Sequence, residues 1–271
     1  MEESRRRAYL EALGIPVWVP RTRGATAHAA AIPEVVEGRP GVAPYPSGTP
    51  LTPSPAGRAE PSDYRQSEGD GRDAGCVSSA VDAIEGLDWE ALQARVRACT
   101  TCELHRTRTQ TVFGVGNPAA RLMVIGEAPG ADEDRQGEPF VGRAGKLLDA
   151  MLHAIGLQRG DVYIANVLKC RPPGNRNPSL DEAARCEGFL RRQIGLVGPR
   201  LILSVGGIAA RNLLGTDTPV GRLRGAVHEY GEDRVPVLVT YHPAYLLRQP
   251  EEKAKAWQDL QQAARLLRDA G

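Results

Sequence analysis

The chain has 271 residues, 41% hydrophobic and 25% charged, with five cysteines and a formal net charge of +1. No run approaches the length of a membrane-spanning helix, and the start, M-E-E-S-R-R-R-A-Y-L, lacks the apolar core of a secretory signal. A cytoplasmic protein with reduced thiols is therefore expected, and its cysteines need a reason other than disulfides. The charge is unevenly spread: residues 1–85 hold 9 Lys+Arg against 12 Asp+Glu, and the remainder holds 25 against 21. The mildly basic second part permits a polyanionic partner without demanding one.

Residues 4–21 read as a small amphipathic unit. Tyr9, Leu10 and Leu13 share one helical face, Gly14 stops the helix, and Ile15 to Val19 is extended. It is either an accessory helix packed on the main domain or a docking peptide. The stretch 22–85 is rich in Pro, Gly, Ala and Ser and has no sustained apolar period, which predicts a disordered linker. Cys76, near its end, has no neighbouring ligand residue and is expected to be a free thiol.

A folded domain is expected over 86–271. Leu87, Ala91, Leu92 and Val96 have helical spacing, with Asp88 as the N-cap. Leu122 to Ile125 reads as a buried strand leading into the loop G-E-A-P-G-A-D-E-D-R-Q-G-E-P-F-V-G-R-A-G, which starts at Gly126, and then into a helix over 146–156. Val162 to Val167 is a second strand, followed by the loop K-C-R-P-P-G-N-R-N-P from Lys169. Ser179 and Glu182 form a capping box that opens a helix over 180–196. Leu201 to Val205 is a third strand, with a helix from Gly206-Gly207 to Leu214. Val235 to Thr240 is a fourth, running into Tyr241-His242-Pro243, and a last helix covers about 251–268. Alternating strands and helices predict a parallel, doubly wound sheet. Ligands of such sheets sit at the carboxyl ends of the strands, where Glu127, Asn166 and His242 converge.

Cys99 and Cys102 form C-x2-C, with Cys170 and Cys186 far downstream. Four such residues can complete a tetrahedral zinc site or hold a [4Fe–4S] cluster, or they are buried thiols with a chance pair. Two tight knuckles would favour zinc. The wide second spacing favours a bulkier group that staples several segments, and it leaves zinc open.

Taken together, G-E-A-P-G…G-E-P-F-V-G-R-A-G, N-V-L-K-C-R-P-P-G-N-R-N-P, H-P-A-Y-L-L-R and the cysteines resemble the family 4 (iron–sulfur) uracil-DNA glycosylases from about Leu87 onward. The resemblance implies a three-layer α/β fold with a central four-stranded parallel sheet flanked by helices. It implies a [4Fe–4S] cluster held by Cys99, Cys102, Cys170 and Cys186. It also implies an enzyme that flips deoxyuridine out of DNA, hydrolyses the N-glycosidic bond and releases uracil. Flipping needs a pocket that stacks the base and reads its edge. Phe140 suits the stacking platform, though it also suits a core. Asn166 can donate to uracil O4 and accept from N3–H, and it can equally cap a turn. Gly126 and Ala128 would give room and backbone groups for close approach. His242 is the candidate donor to the charge developing on uracil O2; histidines 28, 105, 153 and 228 have no comparable setting.

Where the best-known uracil glycosylases read G-Q-D-P, this loop reads G-E-A-P. Glu127 is accordingly expected to position water or stabilise the sugar cation, with Glu133 and Asp134 in reserve. No K-R-R-I-H type insertion for covalent trapping is present, so turnover by hydrolysis is expected. Lys169, Arg171, Arg176 and Arg248 are candidate phosphate contacts, and Leu246-Leu247 either wedges into the duplex or caps the core. Residues 4–21 resemble the N-terminal peptide of the clamp-loader psi subunit, which would make a replication protein their partner. A monomer is expected. Two other readings are a non-catalytic cluster-bearing adaptor on DNA and a redox protein.

Overall fold

The computed structural model describes residues 84–269. The peptide expected at 4–21, nearly all of the 22–85 linker and Cys76 lie outside the described residues. Ile84 packs beside the first helix, and Glu85 pairs with Arg191 at 3.1 Å.

That helix, α1 (Trp89–Arg97), starts where Asp88 accepts a hydrogen bond from the Ala91 N–H at 2.9 Å. Such a cap contributes about 1 kcal/mol. Two strands follow, β1 (Val115–Gly116) and β2 (Leu122–Gly126), and then two helices, α2 (Ala131–Gln136) and α3 (Arg143–Ala154). Next come β3 (Tyr163–Asn166), α4 (Leu180–Val197), β4 (Leu201–Val205), α5 (Gly207–Leu214) and α6 (Val220–Leu223). The series ends with β5 (Val227–Tyr230), β6 (Val235–Thr240), α7 (Pro243–Arg248) and α8 (Lys253–Asp269). The expected capping box is present: Ser179 Oγ accepts from Glu182 N at 3.2 Å, and the Glu182 carboxylate accepts from Ser179 N at 2.9 Å.

The sheet order is β1-β3-β2-β4-β6-β5. The four central strands are parallel, as expected, and each edge adds an antiparallel strand that the sequence reading did not contain. Alternate residues face opposite sides. Leu122, Val124, Ile164, Leu203 and Leu238 pack under α3 and α8, whereas Met123, Ile125, Ala165 and Ile202 pack under α4 and α5. Both faces are covered, so the four central strands are predominantly apolar. Each fully buried Leu or Ile contributes about 1.5–3 kcal/mol relative to exposure.

The registers decide where the polar residues emerge. Gly126 is level with Asn166, and Val205 is level with Thr240. The loop after β2, Asn166 and the start of the Tyr241-His242 turn therefore come out on one edge.

Candidate active site

A cleft of about 470 Å³ opens at that edge, lined among others by Glu127, Ala128, Phe140, Asn166, Tyr245 and Arg248, with His242 in its wall. Of the residues singled out from sequence, Glu127, Ala128, Phe140, Asn166, Arg176, His242 and Arg248 meet here.

Phe140 is 6% exposed, and its ring stacks on the imidazole of His242 with centroids 5.6 Å apart and planes 30° apart. It is held at φ +54°, a left-handed conformation that costs a non-glycine residue energy and persists only where its surroundings impose it. Arg159 does so, donating to the carbonyl oxygens of Phe140 at 3.2 Å and Pro139 at 2.6 Å while pairing with Asp149 at 2.9 Å. Two glycines complete the fit. A Cβ on Gly145 would lie 1.7 Å from the Phe140 carbonyl oxygen, and one on Gly126 would lie 2.5 Å from Asn166 Oδ1 and 2.6 Å from the Phe140 ring.

Asn166 is 2% exposed, and its Oδ1 has no hydrogen-bond partner among the described residues. A buried acceptor left unpaired costs about 1–3 kcal/mol, which marks it as a group awaiting a donor. His242 caps α7: the Ala244 N–H donates to its Nδ1 at 3.1 Å, so the ring proton belongs on Nε2. Burial, aided by the positive charge of Arg248 and opposed by Glu133, holds the imidazole pKa down to about 4. At neutral pH this ring is an uncharged donor.

The three carboxylates separate by their partners. Glu127 lines the cleft, has no hydrogen bond or ion pair on its side chain among the described residues, and has its pKa raised by burial. Glu133 also reaches the cleft, yet its oxygens accept from Gly130 N at 3.1 Å, Val141 N at 3.0 Å and Gly142 N at 3.1 Å. It staples the loop around Phe140. Asp134 is buried and accepts from Thr109 N at 3.0 Å through both oxygens, away from the cleft lining. Both reserve carboxylates are engaged by backbone N–H groups.

The basic residues need one correction. Lys169 cannot meet a phosphate: it is 1% exposed, and its Nζ donates to Asn166 O at 2.7 Å. Burial pushes its pKa down to about 8 against the opposing effect of Cys186 and Cys170. Arg171 is tied to Asn175 Oδ1 at 2.7 Å, and Arg176 pairs with Glu182 at 2.6 Å while lining the cleft. Leu246 is fully buried and belongs to the core, whereas Leu247 is 36% exposed. Arg159, Tyr245, Asn175 and Asn177 are site residues that sequence reasoning missed. The positive φ of Phe140 that makes Arg159 necessary leaves no trace in composition.

Behind the cleft, Cys99, Cys102, Cys170 and Cys186 line one small chamber with Lys169, Arg108, Val96 and Phe189. All four are free thiols. Among the described residues, no three His, Cys, Asp or Glu side chains are grouped closely enough to hold a metal ion. Burial raises the pKa of Cys102 and Cys170 and pushes Cys186 up to about 12. Against that, Arg108 donates to Cys170 Sγ at 2.9 Å and Lys169 N to Cys186 Sγ at 3.4 Å. Four sulfurs around one cavity, with cations beside them, fit a polynuclear cluster with one thiolate per iron.

With this geometry in view, the likenesses to known proteins are informative. The model of the uracil DNA glycosylase superfamily matches residues 113–261. The type-4 uracil-DNA glycosylase of Archaeoglobus fulgidus is 45% identical over 190 residues, 68% of this chain and 94% of that protein. The type-4 enzyme of Thermotoga maritima is 40% identical over 187 residues, 67% and 96% of the two chains. A type-5 uracil-DNA glycosylase of Pyrobaculum aerophilum is 34% identical over 149 residues, covering 48% of this chain and 64% of that one. The chain belongs to the uracil DNA glycosylase superfamily and, within it, to the type-4 uracil-DNA glycosylases.

Proposed function

We propose that the cleft takes a deoxyuridine flipped out of DNA and that the chain hydrolyses its N-glycosidic bond, releasing uracil and leaving an abasic site for base excision repair. The observation that carries this is the unpaired, buried Asn166 Oδ1 facing the stacked Phe140–His242 pair in one cleft. Uracil satisfies it: N3–H donates to Oδ1, the Asn166 amide donates to O4, and the base stacks on Phe140. Cytosine presents the opposite pattern at both positions and leaves the carboxamide unpaired.

The C1′–N1 electron pair passes to uracil as the bond breaks, and charge accumulates on O2. His242, neutral with its proton on Nε2, stabilises that charge by donation without having to lose a proton of its own. Glu127 faces the positive sugar and orients the water, whose oxygen joins C1′ while one of its protons ends on the departing uracil anion. Arg248 and Arg171 contact phosphates, and Leu247 fills the space left by the flipped base.

Cys99, Cys102, Cys170 and Cys186 would hold a [4Fe–4S] cluster. When bound it supplies a rigid cross-link between α1, the loop after β3 and α4. Lys169 and Arg108 offset the charge of the thiolates. The domain spans 86–271, and residues 4–21, on the 22–85 linker, dock a replication partner. Deleting residues 1–85 then leaves excision on naked DNA intact, and loss of activity on truncation would sink the docking idea.

The deciding experiment incubates the purified protein with duplex oligonucleotides carrying one uracil, thymine or cytosine at the same position. Alkali-labile breaks at uracil alone are expected, reduced about 10²- to 10³-fold in His242→Ala. Binding without breaks would leave a cluster-bearing adaptor in place of an enzyme.

A further inference from the structure

Arg108 stands at a junction that the catalytic cycle leaves without a role. Nη1 donates to Cys170 Sγ at 2.9 Å, while Nη2 donates to the carbonyl oxygens of Cys99 at 2.8 Å and Arg97 at 3.3 Å. These acceptors belong to two segments far apart in sequence, the end of α1 with its C-x2-C knuckle and the loop after β3. A planar guanidinium with fixed donor directions holds both at once, whereas an ammonium carries the charge without the fork.

Two more observations bear on the same side chain. Arg108 lines the four-cysteine chamber and also a separate groove of about 560 Å³ walled by Gln93, Thr109, Gln110 and Gly137. It is the one residue common to both linings, so it forms the partition between them. The next residue, Thr109, donates its N–H to Asp134, one position from the Glu133 that grips Val141 and Gly142 beside Phe140. The chain therefore runs from cysteine sulfur to guanidinium, to Asp134, and on to the loop that shapes the uracil pocket.

We propose that Arg108 is a positioning residue with two effects: it seals the cluster chamber against the outer groove, and through Thr109 and Asp134 it ties the cluster's position to the catalytic loop. This rests on reading the four cysteines as cluster ligands and the cleft as the uracil pocket.

The test uses full-length protein purified without oxygen, as wild type, Arg108→Gln, Arg108→Lys and Asp134→Asn. Each is exposed to ferricyanide, which takes electrons from the cluster, and the decay of its broad absorption near about 400 nm is followed. Steady-state excision of uracil is measured in parallel. Arg108→Gln is expected to bleach about tenfold faster than wild type. Arg108→Lys should bleach nearly as fast, because charge alone does not close the partition. Asp134→Asn should bleach at the wild-type rate while its kcat falls about tenfold. If Arg108→Gln loses its cluster during purification, Arg108→Lys provides the rate. Bleaching of both Arg108 variants at the wild-type rate, or an unchanged kcat in Asp134→Asn, overturns the proposal. A colourless wild type sinks the cluster reading itself, and a coloured but inactive one sinks the glycosylase reading, so the failures are told apart.

Discussion

The cleft and the cysteine chamber share the stretch from Asn166 to Cys186, yet they are built on opposite principles. In the cleft three polar groups are left open: Asn166 Oδ1 and the Glu127 carboxylate have no partner among the described residues, and His242 keeps Nε2–H for a ligand. In the chamber the polar groups are engaged. Lys169 is held by Asn166 O, and Arg108 makes three hydrogen bonds. Residues of the same type thus diverge by partner. Glu127 is open where Glu133 is saturated, and Arg248 lines the cleft where Arg108 is a tie. Unsatisfied groups in a packed protein cost stability, and they persist where a substrate relieves them.

The comparison can be broken most severely on the chamber side. Cys170→Ser should remove the absorption near about 400 nm and leave little soluble folded protein, because the ligand loop leads directly out of the central strand β3 that ends at Asn166. Circular dichroism and the visible spectrum check this, and a colourless, folded, fully active variant would show that the two regions are independent.

On the cleft side the effect is smaller and confined to chemistry. Glu127→Gln should fold normally and lose about 10²-fold in kcat. Burial raises the Glu127 pKa above its ordinary value of 4.5, while His242 stays neutral down to about 4. The acid limb of wild-type activity should therefore lie above pH 4.5 and belong to Glu127. A pH–rate profile of Glu127→Gln that keeps this limb would transfer the role to another group.

The smallest effect sharpens the contrast at the rim. Hydrogen bonds from Arg176 hold the Glu182 carboxyl down to about 2, against 4.5 ordinarily. Because this carboxyl's folded pKa lies below its unfolded value, its contribution to stability is complete above about pH 4.5 and is lost as pH falls toward 2. Urea melts between those limits should flatten in Glu182→Gln, with excision at neutral pH nearly unchanged.

Much of this was legible from residues alone. Four apolar runs became the four parallel strands because strands covered on both faces leave an unbroken hydrophobic signature. Asp88 and Ser179 announced helix starts because capping is a local hydrogen bond. The edge strands were not legible: Val115–Gly116 is too short for a period, and Val227–Tyr230 is half exposed and takes its shape from β6. Motif order was enough to bring Glu127, Asn166 and His242 to one edge, since strand ends in a parallel sheet share a side.

Partnership was beyond the sequence. Lys169 reads as one more cation in a basic loop, and only the fold encloses it between Asn166 O and two thiols. Glu133 and Asp134 read as spare acids, and only the fold aims them at backbone N–H groups. Local chemistry and periodicity determined which elements exist and which edge they meet on. Tertiary structure decided which charges are open and which are bound, because a side chain's partner across the fold is not encoded in its neighbours along the chain.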